Sequence, residues 1–195
     1  MRLYDGDQAR LVAAVARHLT ALREIPDFLP YLHVDADAVK EGPSTVCDGR
    51  GVFAARDLKP HELVTLYPAT NELSLRADRE DETSPASVWR PETYAEPKPD
   101  YAMFNGNPQW ASAALRIEAD PNAPIQPGFL GHLVNDAAIP PTASDDIDAA
   151  QQYLVKTTNG TNCHAVPFPS GMVAIAASKE VKAGTELLMT YSFAY

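Results

Sequence analysis

The alternation of apolar and polar residues predicts two similar pairs of strands, over residues 51–67 and 173–191. Each stretch begins with small and apolar residues, passes through charged residues into a turn, and continues through Glu-Leu into an apolar run that ends on a tyrosine. Short apolar runs bounded by turn signals are typical of strands. We therefore expect two β-hairpins, of which the second turns at Ala183-Gly184.

A helical pattern covers residues 7–23. Its apolar residues recur three and four positions apart, at Leu11, Val12, Val15, Leu19 and Leu22. Pro26 and Pro30 end the helix. A helix with one apolar face gains most of its stability from packing. We therefore expect residues 1–30 to form a helical cover on a main domain of residues 31–195, in a single globular unit.

The rest of the chain predicts further short strands separated by proline-bearing loops. The predicted strands cover residues 31–34, 101–104, 115–119, 152–156 and 162–166. A polar surface excursion over residues 68–100 has room for a short helix at 71–80, and Asn159-Gly160 predicts a tight turn. The predicted fold class is therefore mainly β, with one N-terminal helix.

The composition describes one acidic domain. The chain has 195 residues, of which 45% are apolar, so global disorder is not expected. Sixteen basic and 26 acidic residues give a net charge of −10. Such a charge repels nucleic acid and anionic lipid and attracts Lys/Arg-rich partners. Plain solubility explains the charge equally well, so on charge alone a basic partner is only one of two interpretations.

Cysteine and histidine usage does not indicate a metal site or a disulfide framework. The chain has two cysteines, Cys47 and Cys163, which are too few for either, and its five histidines show no ligand spacing. The N-terminus lacks an apolar run of the signal-peptide type, and no segment approaches membrane-span length. We therefore expect an intracellular protein, nuclear or cytoplasmic and not secreted, without membrane association.

Four short motifs occur in a characteristic order along the chain. They are Asp48-Gly49-Arg50-Gly51-Val52-Phe53-Ala54 with Tyr67, then Gly131-His132-Leu133-Val134-Asn135-Asp136, then Asn162-Cys163, then Ala183-Gly184-Thr185-Glu186-Leu187 with Tyr191. Together, over roughly residues 45–193, the chain resembles the SET-domain protein lysine methyltransferases. The resemblance implies a SET-domain (β-clip) fold of short strands with a threaded pseudoknot. It also implies S-adenosyl-L-methionine (AdoMet) as the cofactor and a lysine side chain as the methyl acceptor.

The resemblance further implies a set of cofactor-binding residues. They are Gly49, Arg50, Gly51, His132, Asn135, Asp136 and Tyr191. Glycine lets the backbone approach a ligand closely because it has no Cβ, although an ordinary turn before a strand would explain the two glycines by itself. Asn135 matches the asparagine of the family's Asn-His pair, and Asn162 matches the later asparagine of the threaded crossing.

The chain departs from the family at two points near this site. Asp136 stands where the family has histidine, and the two residues differ in charge and in donor capacity. In addition, 27 positions separate Asn135 from Asn162, against only a few in the family's compact form. Both departures bear on the detailed shape of the site and on its activity.

The resemblance implies Tyr67 and Tyr191 as the catalytic residues. Methyl transfer to an amine is an in-line displacement, so the enzyme must align a neutral lysine nitrogen with the methyl carbon. A dry channel beside a sulfonium lowers the pKa of that lysine, which leaves the tyrosine hydroxyls to orient the reacting groups. The alternative for each tyrosine is a core aromatic residue at the end of a strand.

The expected substrate channel is lined by Tyr67, Met189 and Tyr101. Met189 stands where the family has a Phe or Tyr that governs how many methyl groups fit, so we expect room for higher methylation. Trp89 and Trp110 lie in or near loops and are further candidates for facing a peptide, with packing as the alternative.

Many family members close the lysine channel with a zinc-binding tail, and no cysteine cluster follows the last tyrosine of this sequence. The channel would then be completed by Phe193 and Tyr195, by the excursion at 68–100, by a partner subunit of a homodimer, or not at all. Two functions remain open. One is an AdoMet-dependent protein-lysine N-methyltransferase acting on a basic protein such as a histone tail, without direct nucleic-acid binding. The other is a catalytically inactive SET-fold protein-interaction module.

Overall fold

A computed structural model describes residues 5–23, 28–68, 70, 72–77, 87–89, 102–105, 113–139, 147–168 and 171–191. The described helices are α1 (Asp5–Arg23), α2 (Phe28–Tyr31) and α3 (Ile147–Gly160), with a 3₁₀ helix at Gly131–Leu133. The described strands are β1 (Val39–Pro43), β2 (Arg50–Ala54), β3 (Leu63–Leu66), β4 (Glu72–Ala77), β5 (Ser87–Trp89), β6 (Ala102–Asn105), β7 (Ala113–Glu118), β8 (Asn135–Asp136), β9 (Cys163–Pro167), β10 (Val173–Ala177) and β11 (Leu188–Met189).

The described strands form four small sheets, so the mainly β fold class is confirmed. The strand orders are β1-β2, β3-β10-β9, β11-β8 and β5-β4-β7-β6. All pairs are antiparallel except β8 with β11, which run parallel and align Asn135 with Leu188 and Asp136 with Met189. A parallel pair joins strands that are far apart in the chain, and here it brings the last strand against the 131–136 segment.

The two stretches predicted as hairpins pair with each other and not within themselves. Strand β3 of the first stretch pairs with β10 of the second. Ala54, at the end of β2, donates to the carbonyl of Thr185 at 2.9 Å and accepts from the amide of Gly184 at 2.8 Å. The prediction of two separate hairpins is therefore wrong. The apolar pattern locates strands, but edge pairing depends on which other edge lies alongside.

The turns of these two stretches lie against each other in similar conformations. Leu58 and Val181 donate backbone hydrogen bonds to each other, at 2.8 and 3.1 Å. His61 and Gly184 stand at equivalent places in the two turns, with φ of 65° and 82°. The repeated sequence pattern thus corresponds to a repeated backbone conformation, and the predicted turn at residues 183–184 is confirmed.

Helix α1 contains the predicted helix of residues 7–23 and packs on the sheet core. Its buried residues Val15, Ala16 and Leu19 belong to one apolar cluster with Tyr67 and Ile117. Burial of such side chains contributes roughly 1.5–3 kcal/mol each. Within the described residues, no helix is both long and apolar enough to cross a bilayer.

Two predicted elements at the start and in the middle of the chain are wrong. Residues 31–34 were expected as a strand, but α2 ends at Tyr31 and a turn follows, with φ of 55° at His33. The possible helix at 71–80 is replaced by β4, which pairs with β5 and β7. At residues 31–34 local backbone hydrogen bonds to Leu29 and Pro30 close the turn, whereas at β4 tertiary pairing overrides a weak local preference.

The predicted strand at 152–156 and the turn at Asn159-Gly160 are also wrong, because both lie inside α3. The buried residues of α3 are Tyr153 and Thr157, four positions apart and so on one helix face. Asn159-Gly160 ends this helix, and no hairpin forms there. The predicted strands near 101–104, 115–119 and 162–166 are confirmed as β6, β7 and β9, and β6 and β7 pair antiparallel as expected.

Candidate active site

The segment of residues 131–136 is the centre around which the predicted site residues gather. Its 3₁₀ helix is buried and leads into β8. A Cβ added at Gly131 would lie 2.9 Å from the carbonyl oxygen of Leu66 and 3.0 Å from Cα of Tyr67. Glycine at this position therefore allows the segment to cross directly over the end of β3, where Tyr67 follows the strand.

Asn135 ties this segment to the glycine-bearing strand β2. Its amide nitrogen donates to the carbonyl of Arg50 at 2.8 Å and lies 3.1 Å from the hydroxyl of Ser44. The nitrogen also lies 3.2 Å from the carboxylate of Glu186. The side chain of Asn135 thus joins Arg50, which is 85 positions earlier in the chain, to Glu186, which is 51 positions later.

Glu186 organises the loop before β2. Its carboxylate accepts from the hydroxyl of Ser44 at 2.8 Å and from the amide and hydroxyl of Thr45 at 2.7 and 2.5 Å. Burial acts to raise the pKa of Glu186, but the hydrogen bonds from Thr45, Ser44 and Asn135 outweigh it and hold the pKa below its usual value. Sequence reasoning placed Glu186 in a motif and gave it no role of its own.

The two glycines of the predicted cofactor loop have different surroundings. A Cβ at Gly51 would lie 2.2 Å from Oε1 of Glu186, so any larger residue there would displace that carboxylate. A Cβ at Gly49 would meet only the sulfur of Cys47, at 3.7 Å, and Gly49 is exposed. Between them, Arg50 directs its guanidinium to Glu41 at 3.2 Å and to the carbonyl of Pro121.

Tyr191 reaches the same segment from the C-terminal side. Its hydroxyl donates to the carbonyl of Val134 at 2.6 Å, and the residue is 39% exposed. Strand β11 carries Met189 two residues earlier, in the core cluster with Leu133 and Val134. The side chain of Tyr191 therefore lies against Val134, the residue that precedes Asn135, and one side of it is open to solvent.

Tyr67 contacts the segment through His132, since the two rings meet edge to face with centroids 6.3 Å apart. Tyr67 is 8% exposed and packs with α1, which also agrees with the alternative of a core aromatic residue. Burial, followed by the charge of Arg50, lowers the pKa of His132 to about 4. His132 is therefore a neutral imidazole at physiological pH.

Asn162 completes a threaded crossing. Its side chain accepts from the amide of Leu188 at 2.9 Å and donates to the carbonyl of Glu186 at 2.8 Å, and its own amide donates to the carbonyl of Leu188 at 2.9 Å. Residues 186–189 are thus held by Asn162 and by the parallel strand β8. The segment of residues 186–189 therefore lies between Asn162 and β8, as the threaded pseudoknot expected for the fold requires.

Residues 49–192 match a family model described as SET domain. The chain belongs to the SET-domain family. A solved structure of a Plasmodium falciparum protein, described as a putative histone methyltransferase, is similar at 15% identity and a TM-score of 0.39, with 82% of this chain and 96% of that chain covered. That similarity is too low to support a conclusion about function. A search of curated proteins found no significant match.

Asp136, the residue that departs from the family pattern, is engaged by its neighbours in this SET domain. Its Oδ1 accepts from the hydroxyl of Thr157 at 2.7 Å and from the amide of Ala138 at 3.1 Å. Its Oδ2 accepts from the hydroxyl of Tyr153 and from the amide of Tyr191 at 3.3 Å. Sequence reasoning missed Tyr153 and Thr157 because it predicted a strand at residues 152–156 and a turn at Asn159-Gly160 in place of a helix.

Several predicted residues of the SET domain lie outside the described residues. They are Tyr101 of the expected channel, Trp110, Phe193 and Tyr195. Trp89 belongs to β5, of which only the backbone is described. The part of the chain that the structure describes contains no group of three or more His, Cys, Asp and Glu side chains arranged to hold a metal ion.

Proposed function

We propose that this SET domain is an AdoMet-dependent protein-lysine N-methyltransferase that acts on a basic protein such as a histone tail. Membership of the SET-domain family supports the reaction class. The observation that carries the proposal is the convergence of two distant parts of the chain on residues 134–135. Asn135 bonds the carbonyl of Arg50 at 2.8 Å, and Tyr191 bonds the carbonyl of Val134 at 2.6 Å.

The residues present fit a cofactor of this kind at the loop before β2. The exposed position of Gly49, with no atom closer than 3.7 Å to a Cβ built on it, leaves the backbone accessible to a ligand. The residues that would hold AdoMet are Gly49, Arg50, Gly51, His132, Asn135 and Tyr191. AdoMet would supply an activated methyl group on a sulfonium. That Asp136 also contacts the cofactor stays a prediction.

The chain's own residues have three tasks in this reaction. Tyr191 orients the reacting nitrogen through a hydroxyl whose direction is set by the carbonyl of Val134. Tyr67 and Met189 line the lysine channel, where exclusion of water disfavours the charged ammonium form of the substrate. His132, neutral through burial, adds no positive charge that would repel a cationic cofactor.

The net charge of −10 supports a basic substrate. Acidic groups raise the local concentration of a Lys/Arg-rich peptide, and salt weakens this effect. The charge therefore supports the class of substrate. The same charge repels anionic membranes and nucleic acid.

Incubation with labelled AdoMet and a panel of basic proteins tests the proposal. Mass spectrometry should then find methylated lysines in at least one panel member, and the number of methyl groups reports how much room Met189 leaves. Tyr191→Phe is the matched variant, since it removes one hydroxyl. Absence of methylation across the panel, in protein that binds AdoMet and is folded by circular dichroism, would contradict the proposal.

A second candidate is a SET-fold interaction module without turnover. The observation that favours it is the engagement of Asp136, whose two oxygens already accept four hydrogen bonds. Calorimetry with AdoMet separates the two functions. Micromolar binding supports the methyltransferase, whereas no binding at millimolar AdoMet supports the module.

A further inference from the structure

The backbone of Tyr191 is held by side chains, because the strand before it has already ended. Strand β11 closes at Met189, so the ladder with β8 does not reach Tyr191. Instead, the amide of Tyr191 donates to Oδ2 of Asp136 at 3.3 Å, and its carbonyl lies 2.9 Å from the hydroxyl of Tyr153. Both backbone polar groups of the proposed catalytic tyrosine are thus held by one pair of side chains.

The same two side chains contact each other and are anchored in α3. The hydroxyl of Tyr153 has a single proton, which it shares between Oδ2 of Asp136 and the carbonyl of Tyr191, and Tyr153 is 4% exposed. Thr157, one turn further along α3, donates to Oδ1 of Asp136 at 2.7 Å and fixes the direction of the carboxylate. A helix of 14 residues is a stiffer support than a loop.

We propose that Tyr153, acting with Asp136, is a positioning residue for Tyr191 in the methyl transfer proposed above. The part about catalysis rests on that proposed function, whereas the part about the orientation of Tyr191 does not. In this chain the long connection between Asn135 and Asn162 folds into α3 and supplies Tyr153, and the aspartate at position 136 links α3 to Tyr191. The two departures from the family pattern, Asp136 and the long connection, thus act together, because each supplies a side chain that the other contacts.

The proposal has a chemical reason. Tyr191 donates to the carbonyl of Val134 at 2.6 Å, and this bond sets where its phenol oxygen stands. Freeing the backbone of Tyr191 lets the ring shift, and small displacements of an orienting group cost rate steeply. A residue that acts only through Tyr191 should lose its effect once the hydroxyl of Tyr191 has been removed.

Tyr153→Phe is the test variant, because it removes the hydroxyl and keeps the buried ring. We expect kcat to fall about tenfold, with a smaller change in KM for AdoMet and for the peptide substrate. In the double variant with Tyr191→Phe, we expect no loss beyond that of Tyr191→Phe alone. Losses that multiply, or an unchanged kcat in Tyr153→Phe, overturn the proposal.

Thr161→Val is the matched control at the same junction. Its hydroxyl contacts the carbonyl of Thr157 at 2.7 Å and the hydroxyl of Thr190 at 2.8 Å, and no contact of its hydroxyl reaches Asp136 or Tyr191. We expect Thr161→Val to keep the wild-type kcat. An equal fall in both variants would mean that the junction merely stabilises the fold, and would overturn the proposal.

A spectroscopic readout keeps the test independent of turnover. In full-length protein labelled at tyrosine Cζ, the resonance that Tyr191→Phe deletes belongs to Tyr191. Tyr153→Phe should move this resonance toward that of a solvent-exposed tyrosine, and Thr161→Val should not. An unmoved resonance overturns the positioning role. A wild-type protein that methylates nothing in the panel, yet shows the shift, contradicts the proposed function and leaves the positioning role supported.

Discussion

Asn135 and Glu186 meet beside Gly51, with the amide nitrogen 3.2 Å from the carboxylate oxygen. The same two side chains are the nearest neighbours of the space in which a side chain at position 51 would have to stand. The loop that is proposed to hold the cofactor therefore packs directly on the carboxylate of Glu186 and the amide of Asn135, and this close packing depends on the absence of a Cβ at position 51.

Gly51→Ala should damage this arrangement. The new Cβ would lie 2.2 Å from Oε1 of Glu186, so the carboxylate would have to leave its hydrogen bonds with Ser44 and Thr45. We expect a loss of about 1–3 kcal/mol in the free energy of unfolding, measured by urea denaturation, together with weaker AdoMet binding. Gly49→Ala is the control, because its Cβ has room, and it should stay within about 0.5 kcal/mol of wild type. Equal losses in the two variants would contradict this explanation.

Gly184→Ala should lower stability for a reason that involves no contact. Gly184 has φ of 82°, and a Cβ there would meet nothing within 4 Å. The expected loss is about 1 kcal/mol, the usual cost of placing alanine in the left-handed region. Its counterpart His61, with φ of 65°, offers the opposite change. His61→Gly should be neutral or slightly stabilising, and a clear destabilisation would argue against a strained turn at His61.

His132 should make stability depend on pH. Its pKa of about 4 in the folded state lies below the ordinary 6.5, chiefly through burial. Between these values the unfolded chain binds a proton that the folded chain does not, so its contribution is complete above pH 6.5 and is lost as the pH falls. From pH 7 to pH 5 we expect the free energy of unfolding to fall by about 2 kcal/mol because of this residue.

His132→Gln tests this assignment in urea titrations at both pH values. The comparison stops at pH 5 because Glu186 also contributes to stability. Its pKa is lowered in the folded state from the ordinary 4.5, so that contribution is lost only as the pH falls below about 4.5. The variant should show a smaller fall in stability between pH 7 and pH 5 than wild type does. An identical fall in the two proteins would assign the pH dependence to other groups.

The two cysteines should differ sharply toward thiol reagents. Cys47 is exposed, whereas Cys163 is buried in the core and burial raises its pKa to about 12. Because the thiolate is the reactive form, the native protein should titrate one thiol with a colorimetric disulfide reagent and the urea-unfolded protein two. Rapid reaction of both thiols in native protein would show that β9 opens far more readily than its burial implies.

Tyr191→Phe and Tyr67→Phe test the proposed catalytic roles. Each change keeps the ring and removes one hydroxyl, so stability should stay within about 1 kcal/mol of wild type. We expect Tyr191→Phe to lower kcat about a hundredfold and Tyr67→Phe to lower it by at least tenfold. Initial rates of methylation on the best substrate of the panel measure both. Unchanged rates in both variants would leave the two tyrosines as structural residues.

The sequence was informative where a pattern is local. The apolar spacing of residues 7–23 predicted α1, and short apolar runs located β2, β3, β9 and β10, because both signals come from neighbours within one turn or one strand. The motifs around Gly51, Asn135 and Asn162 were sufficient to identify the SET-domain fold, since their residue types follow from close backbone contacts. Tyr67 and Tyr191 were recognised from the same pattern, and both contact the segment of residues 131–136.

What only the tertiary structure decided is which of these pieces meet. The pairing of β3 with β10 in place of two hairpins depends on edges that are over 100 residues apart, and nothing in either stretch encodes its partner. The helix α3 escaped prediction because its apolar residues Ile147, Leu154 and Val155 are exposed and its buried face carries Tyr153 and Thr157. Those polar residues are buried because Asp136 accepts their hydrogen bonds. A buried polar group is stable only beside its partner, and that partner is brought there by the fold and not by the local sequence.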